Sequence, residues 1–158
     1  MIGGPPCQSF SLAGLRKGLE DERGKLLFEY VRVVRDTLPK GFVLENVRGL
    51  CNWDNGRALQ MLIEELQKPI EFEGKVYQYY VAPPQVLNAA DYGVPQYRER
   101  LILVGNRINK LFSYPAGNPS RRSTVWDAIG SLPDPELPSD TAMRVAGTIQ
   151  GRREKHGF

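Results

Sequence analysis

Ile2-Gly3-Gly4-Pro5-Pro6-Cys7-Gln8, at the head of the chain, reads as the end of a strand that runs straight into a rigid turn. Proline fixes φ and removes a backbone donor, so Pro5 and Pro6 neither extend a ladder nor enter a helix interior. The residue before each proline is held extended. Cys7 is thereby set in a fixed, non-helical geometry just past a strand end. Open α/β sheets gather their reactive groups there, beyond the carboxyl ends of strands.

The segments that follow supply the rest of such a sheet. Residues 8–24 read as a long loop, punctuated by Gly14, Gly18 and Gly24 and made partly basic by Arg16, Lys17 and Arg23. Lys25 to Leu38 is predicted to be a helix. Its Leu27, Val31, Val34 and Leu38 form one apolar stripe, with Leu26 and Tyr30 beside it, and Pro39 and Gly41 stop it. Phe42-Val43-Leu44 is a short apolar run ending in Glu45, as a buried parallel strand would be. Asp54 or Asn55 is placed to cap a second helix, whose Leu59, Leu62, Ile63 and Leu66 fall at i, i+3, i+4, i+7. Val76 to Leu87 reads as extended, and the Pro83-Pro84 interruption calls for an edge position or a bulge. Leu101-Ile102-Leu103-Val104 is a further buried strand, closed by Gly105. The order of elements predicts an α/β sheet with helices as crossovers.

Beyond Pro115 the texture changes. Thr124-Val125-Trp126-Asp127 has the form of a capping box opening a short helix toward Leu132. Pro133, Pro135 and Pro138 then make a stiff linker. Three regions are expected: residues 1–112 as the α/β unit, 113–140 as a short helix and proline-rich linker, and 141–158 as a basic tail.

With 41% hydrophobic and 25% charged residues, the 158-residue chain falls among globular domains rather than disordered ones. Apolar runs of about 18 residues are absent, so no membrane span is expected. Cys7 and Cys51 are too far apart, and too poorly supplied with the single histidine His156, to suggest a zinc site or a disulfide framework. A reducing, cytoplasmic compartment fits both thiols. The net charge of +3 is concentrated at the end: four of the 21 basic and one of the 18 acidic residues lie in 141–158, leaving 17 of each elsewhere. Such a tail suits a polyanion partner or is simply a solvated end.

Cys7 follows one strand and Glu45 the next. Adjacent strands lie about 4.8 Å apart, so a thiol and a carboxylate 38 residues apart in sequence can share a pocket. Arg98 and Arg100 alternate with Tyr97 and Glu99, and in an extended segment both face the same way. Two planar, permanently charged donors can hold a carbonyl oxygen and a phosphate.

The stretches Gly4-Pro5-Pro6-Cys7-Gln8 with Phe10-Ser11, then Glu45-Asn46-Val47, then Gln96, Arg98 and Arg100 occur in one order. Leu87-Asn88-Ala89-Ala90-Asp91-Tyr92-Gly93-Val94-Pro95 leads into the last. In these residues the chain resembles the DNA cytosine-5 methyltransferases over about its first 106 positions. The resemblance implies a partial Rossmann-like class I methyltransferase fold, the C-terminal half of its sheet with an antiparallel final strand. It implies methyl transfer from S-adenosylmethionine to C5 of cytosine in DNA, in a restriction–modification setting. Cys7 would add to C6 of a flipped base. Glu45 would protonate or hydrogen-bond N3, Arg100 would contact O2, and Arg98 would sit near the phosphate and thiol. Gln96 would brace the turn. The glycine-hinged residues 8–24 would close over DNA, with Gln8, Ser9 and Ser11 as polar contacts and Arg16, Lys17 and Arg23 on phosphates.

Only Pro6 and Leu26 fall at family positions near the cofactor. The glycine-rich segment and acidic residue that build most of the family's donor site have no counterpart in the sequence. The expectation is therefore a catalytic half that is inactive without a complementary N-terminal chain, with no metal, acting on double-stranded DNA in the cytoplasm (the nucleoid in a bacterium). Residues 141–158 would begin a target-recognition region. A non-catalytic DNA-binding or assembly subunit of a split methyltransferase is one alternative, and an RNA cytosine methyltransferase is another. A cysteine hydrolase would need His156 as its base, a poor candidate in a basic, glycine-flanked tail.

Overall fold

The computed structural model describes residues 1–6, 22–132, 140–141, 143–145, 147–148 and 155. Within them the chain divides into two units, Met1–Ser123 and Thr124–Phe158.

The first unit is built on a five-stranded mixed sheet. Its strands are β1 (Ile2–Gly3), β2 (Gly41–Val47), β5 (Tyr80–Val81), β6 (Gln85–Asn88) and β7 (Glu99–Asn106). β1 pairs with β2 in parallel, and β2 pairs with β7 antiparallel in a seven-residue register from Gly41↔Asn106 to Val47↔Arg100. β5 and β6 both pair antiparallel with the far edge of β7. Pro83-Pro84 separates these two short edge strands, where missing N–H donors do no harm. β3 (Ile70–Phe72) and β4 (Lys75–Tyr77) form a separate hairpin that the sequence pattern did not anticipate. The expected α/β class and antiparallel final strand are both present.

Alternation along β2 and β7 gives the sheet one fully buried face. Phe42, Leu44, Leu101 and Leu103 pack into a single core with Leu27, Tyr30, Val31 and Val34 of α1 (Glu22–Thr37) and Ala58, Leu62 and Leu66 of α3 (Arg57–Gln67). Both stripes expected from the sequence supply this core. Leu26, beside the first stripe, is instead exposed. Close approach is needed where α1 meets β1: a Cβ on Gly3 would stand 2.6 Å from the Tyr30 ring. The Tyr30 hydroxyl donates to the Val43 carbonyl at 2.9 Å. Burial pushes the Tyr30 hydroxyl pKa up to about 12.

Several boundaries differ from the sequence expectation. α1 begins at Glu22, so residues 22–24 belong to a helix rather than to the preceding loop. It ends at Thr37, because Leu38 turns left-handed (φ 45°). β2 does not stop at Glu45 but runs through Asn46 and Val47, since backbone pairing with β7 continues past the apolar run. Asp54 and Asn55 do not cap the second helix. Both are left-handed (φ 48° and 54°) in the tight turn Trp53–Gly56 that follows α2 (Gly49–Asn52), and Gly56 occupies the capping position.

In the second unit, α4 (Val125–Ile129) opens on the expected capping box. The Thr124 backbone amide and hydroxyl both bond Asp127, holding its carboxyl below the usual range, and the Asp127 amide donates back to the Thr124 hydroxyl. Asp140–Thr141, Met143–Val145 and Gly147–Thr148 are helical. Pro133, Pro135, Pro138 and His156 lie outside the described residues.

Candidate active site

Because β1 and β2 are parallel and β7 antiparallel, one edge of the sheet collects the carboxyl ends of β1 and β2 and the amino end of β7. Glu45 and Arg100 meet there. Glu45 stands opposite Ile102, so Arg100, two residues earlier on β7, is its diagonal neighbour on the same face. Arg100 Nε reaches Glu45 Oε1 at 2.7 Å, with the two side chains 26% and 40% exposed. The other carboxylate oxygen, Glu45 Oε2, lies 3.1 Å from where a Cβ on Gly4 would be. The acid is therefore wedged between an arginine and the backbone that leads into Pro5-Pro6-Cys7. It is not enclosed in the apolar strand end that the Phe42-Val43-Leu44 run suggested.

Asn46, adjacent on β2, points to the opposite face and is 2% exposed, the only buried polar side chain among the described residues. Its Nδ2 donates to the Pro5 carbonyl at 3.2 Å, and its Oδ1 accepts from the Val47 amide at 2.8 Å. This pairing ties the proline turn to the strand that carries the acid. Sequence reading quoted Asn46 without giving it a task. A polar residue at a core position of an alternating strand was the available signal.

Cys7, Gln8, Ser9, Ser11, Arg16 and Lys17 lie outside the described residues, as does the loop role assigned to residues 8–21. Arg23 lies in the first turn of α1. Arg98 precedes β7 and is exposed. Its backbone is held by Asn88, whose Oδ1 accepts from the amides of both Arg98 and Ala90 at 3.1 Å, and its carbonyl accepts from Ala89 at 3.0 Å. Only Arg100 of the two arginines pairs with Glu45. Arg48 Nη1 contacts both carboxylate oxygens of Glu99 at 2.9 and 2.7 Å, closing the ends of β2 and β7. Gln96 turns the chain through its amide, which donates to the Val94 carbonyl at 2.8 Å.

Pro6 and Leu26 are both exposed. Pro6 lies just past the carboxyl end of β1, and Leu26 lies early in α1, which returns from that same end to reach β2. Neither carries a group for hydroxyls or charges. The other cysteine, Cys51, is half-buried in α2, and burial pushes its thiol pKa up, a shift that nearby Arg48 partly opposes. Among the described residues no cluster of three or more metal-binding side chains occurs, and no helix is long and apolar enough to cross a membrane.

Residues 1–153 match the family described as C-5 cytosine-specific DNA methylase. The chain is 49% identical over 174 aligned residues to the type II methyltransferase M.AquIA of Picosynechococcus sp., covering 100% of this chain and 70% of that relative. It is 48% identical over 137 residues to the type II methyltransferase M.XorII of Xanthomonas oryzae pv. oryzae, covering 86% of this chain and 30% of that one. A crystal structure of a prophage-encoded DNA modification methyltransferase from E. coli matches the fold with a TM-score of 0.63 at 28% identity, over 84% of this chain and 34% of the other. The chain thus spans most of M.AquIA but only about a third of the other two.

Proposed function

The chain belongs to the C-5 cytosine-specific DNA methylase family, and from that premise we propose that it carries the covalent half of cytosine methylation in DNA. The observation that carries this reading is Glu45 joined to Arg100 at 2.7 Å against the Gly4-Pro5 backbone. It gathers an acid, a guanidinium and the approach to a cysteine at one sheet edge.

The cytosine C5 atom is a poor nucleophile because its ring is aromatic and electron-deficient. The Cys7 thiolate adds to C6, forming an S–C6 bond and sending the C5–C6 π pair into the ring. Negative charge then builds toward N3 and O2. Glu45 hydrogen-bonds or protonates N3, and Arg100 holds O2, so the groups paired in the free protein are shared with the base when it arrives. The family's donor, S-adenosylmethionine, supplies an electrophilic methyl group. Once C5 carries the methyl and the donor's sulfur has departed as a neutral thioether, solvent takes the C5 proton, the C5–C6 double bond re-forms as the Cys7 thiolate leaves, and any proton on N3 returns to Glu45. Pro6 and Leu26 lie near the donor in this reading. Arg16, Lys17 and Arg23 serve DNA phosphates, Gln8, Ser9 and Ser11 make polar contacts, Arg98 sits near the phosphate and the thiol, and the base is reached by flipping.

A complementary chain is the proposed partner. β1 has no partner strand on its outer side among the described residues, Ile2 is 83% exposed, and the face bearing Val43, Val47, Ile102 and Val104 is only half-buried. An unpaired edge and an uncovered apolar face are what a second element would seal. Residues 141–158 would begin target recognition.

The test is covalent trapping on duplex DNA bearing 5-fluorocytosine, with S-adenosylmethionine, in the presence and absence of a complementary N-terminal fragment. A Cys7-dependent adduct that appears only on complementation is expected. An adduct that persists in Cys7→Ala removes the mechanism. An adduct formed equally without the fragment removes the partner.

A further inference from the structure

We propose that Tyr97 is a DNA-contacting residue, its ring pre-set by Arg122 and Asp91 to stack on a nucleotide flanking the extruded cytosine. The proposal rests on the methyltransferase reading above.

Tyr97 lies two residues before β7, beyond the sheet edge where Glu45 and Arg100 meet. Its neighbours Gln96 and Arg98 are exposed, and Tyr97 itself is 72% exposed. So little apolar burial does not order an aromatic side chain. A charged partner holds it instead: the Arg122 guanidinium lies 4.7 Å from the ring centroid.

That guanidinium is itself fixed. Its Nε and Nη2 both lie 2.6 Å from Asp91 Oδ1, in a pair whose side chains are only 32% and 22% exposed. Asp91 belongs to the turn Ala89–Tyr92, capped by Asn88, the same residue that clamps the Arg98 amide. The strand of chain arriving at Arg122 is tied to this turn as well. The Asn118 amide donates to the Asp91 carbonyl at 2.7 Å, and the Tyr92 hydroxyl donates to the Pro115 carbonyl at 2.9 Å. Gly117 passes so close that a Cβ there would stand 2.8 Å from the Asp91 Cβ.

Arg122 occupies one face of the ring, and the high exposure leaves area on the other. An aromatic face held rigid next to exposed arginines, at the edge where a base must leave its stack, matches the chemistry of a base-stacking platform. Arg122 and Asp91 are positioning residues in this scheme.

The experiment uses the enzyme as purified from its cells, with any chain it carries. It is titrated onto fluorescein-labelled duplex fragments of mixed sequence, then photocrosslinked to the same fragments substituted with 5-bromodeoxyuridine. A crosslink mapping to Tyr97 is expected. Tyr97→Ala and Tyr97→Leu should lose roughly ten- to hundredfold in DNA affinity, the range that base–aromatic stacking supplies. Tyr97→Phe, which keeps the ring, should lose less. Arg122→Ala should raise KM for DNA more than it lowers kcat, and Arg122→Lys, which restores a cation, should recover part of the loss. If the enzyme binds and traps 5-fluorocytosine DNA while Tyr97→Ala binds as tightly as the parent, the platform is wrong and the methyltransferase reading stands. If the parent binds no duplex, both fall.

Discussion

Replacing Asn46 with alanine removes the one buried polar side chain on β2 and with it two hydrogen bonds, to the Pro5 carbonyl and from the Val47 amide. A hydrogen bond of this kind contributes about 0.5–1.5 kcal/mol net, so the pair stands for about 1–3 kcal/mol. Pro5 is only half-buried, so water can reach its carbonyl once the amide is gone, which keeps the expected cost near 2 kcal/mol rather than above it. Urea-induced unfolding reads this as a lower midpoint at unchanged slope. The functional loss should exceed the stability loss. With its tether cut, the Gly4-Pro5-Pro6 turn is no longer held against the strand that carries Glu45. Adduct formation on 5-fluorocytosine DNA by the complemented protein should slow under conditions where the variant is still fully folded.

Asn46→Asp sharpens the test. It keeps an acceptor for the Val47 amide but sets a carboxylate oxygen against the Pro5 carbonyl, in a site with almost no solvent. Burial and the facing carbonyl disfavour the charged form, so this new acid titrates above an ordinary aspartate. The proton is then bound more tightly in the folded state than in the unfolded one. The variant's stability deficit should shrink as pH falls and widen as pH rises through the folded-state pKa. A refuting result is Asn46→Ala within 0.5 kcal/mol of the parent (about the noise between surface substitutions) with an unchanged rate of adduct formation.

Gly105→Ala places a Cβ 2.4 Å from the Phe42 ring, which is wedged edge-on against Tyr79 at a 5.3 Å centroid separation. Overpacking of this kind costs about 1–3 kcal/mol, read as a lowered urea midpoint, and a neutral result would mean the ring has room to turn. Glu45→Gln keeps the shape but loses the proton and the charge. Turnover by the complemented enzyme should fall within the usual acid–base range of about 10²–10⁴-fold, and unchanged turnover takes Glu45 out of the chemistry. In a Cys7→Ala background only Cys51 remains, and burial raises its pKa. Less of it is thiolate at pH 8 than in a free cysteine, so alkylation by iodoacetamide should be slower than for glutathione and should keep rising past pH 9. Rapid labelling at pH 7 would contradict the buried placement.

Legibility followed the range of the interactions. The stripes on α1 and α3 and the apolar runs in β2 and β7 could be read because burial writes a local period into the sequence. The end of β2 could not, because Glu45-Asn46-Val47 is held by backbone pairing with β7, which imposes no apolar pattern. Asp54 and Asn55 carried the composition of a helix cap yet form a left-handed turn, leaving the cap position to Gly56. Glu45 and Arg100, singled out through short stretches of sequence, meet at one sheet edge. The partners at the same strand ends were not foreseen: Asn46 reaches back 41 residues to Pro5 and Arg48 forward 51 to Glu99. Long-range polar contacts leave no periodic trace.

The same alternation that makes the core also aims the chemistry. Along β2, Phe42, Leu44 and Asn46 go to the buried face, and Val43, Glu45 and Val47 to the other. A slip of one residue against β7 would carry Glu45 into the packing of Leu44 and Leu103 and turn Phe42 outward. The register is opposed to such a slip at both ends: Phe42 fits opposite Gly105 at one, and Asn46 holds Pro5 at the other. The Glu45 carboxyl, proposed above to meet the base, is thus located by the packing of apolar residues beside it in sequence. Substitutions on the buried face far from Arg100, Gly105→Ala among them, are therefore expected to alter the alignment of Glu45 as well as stability.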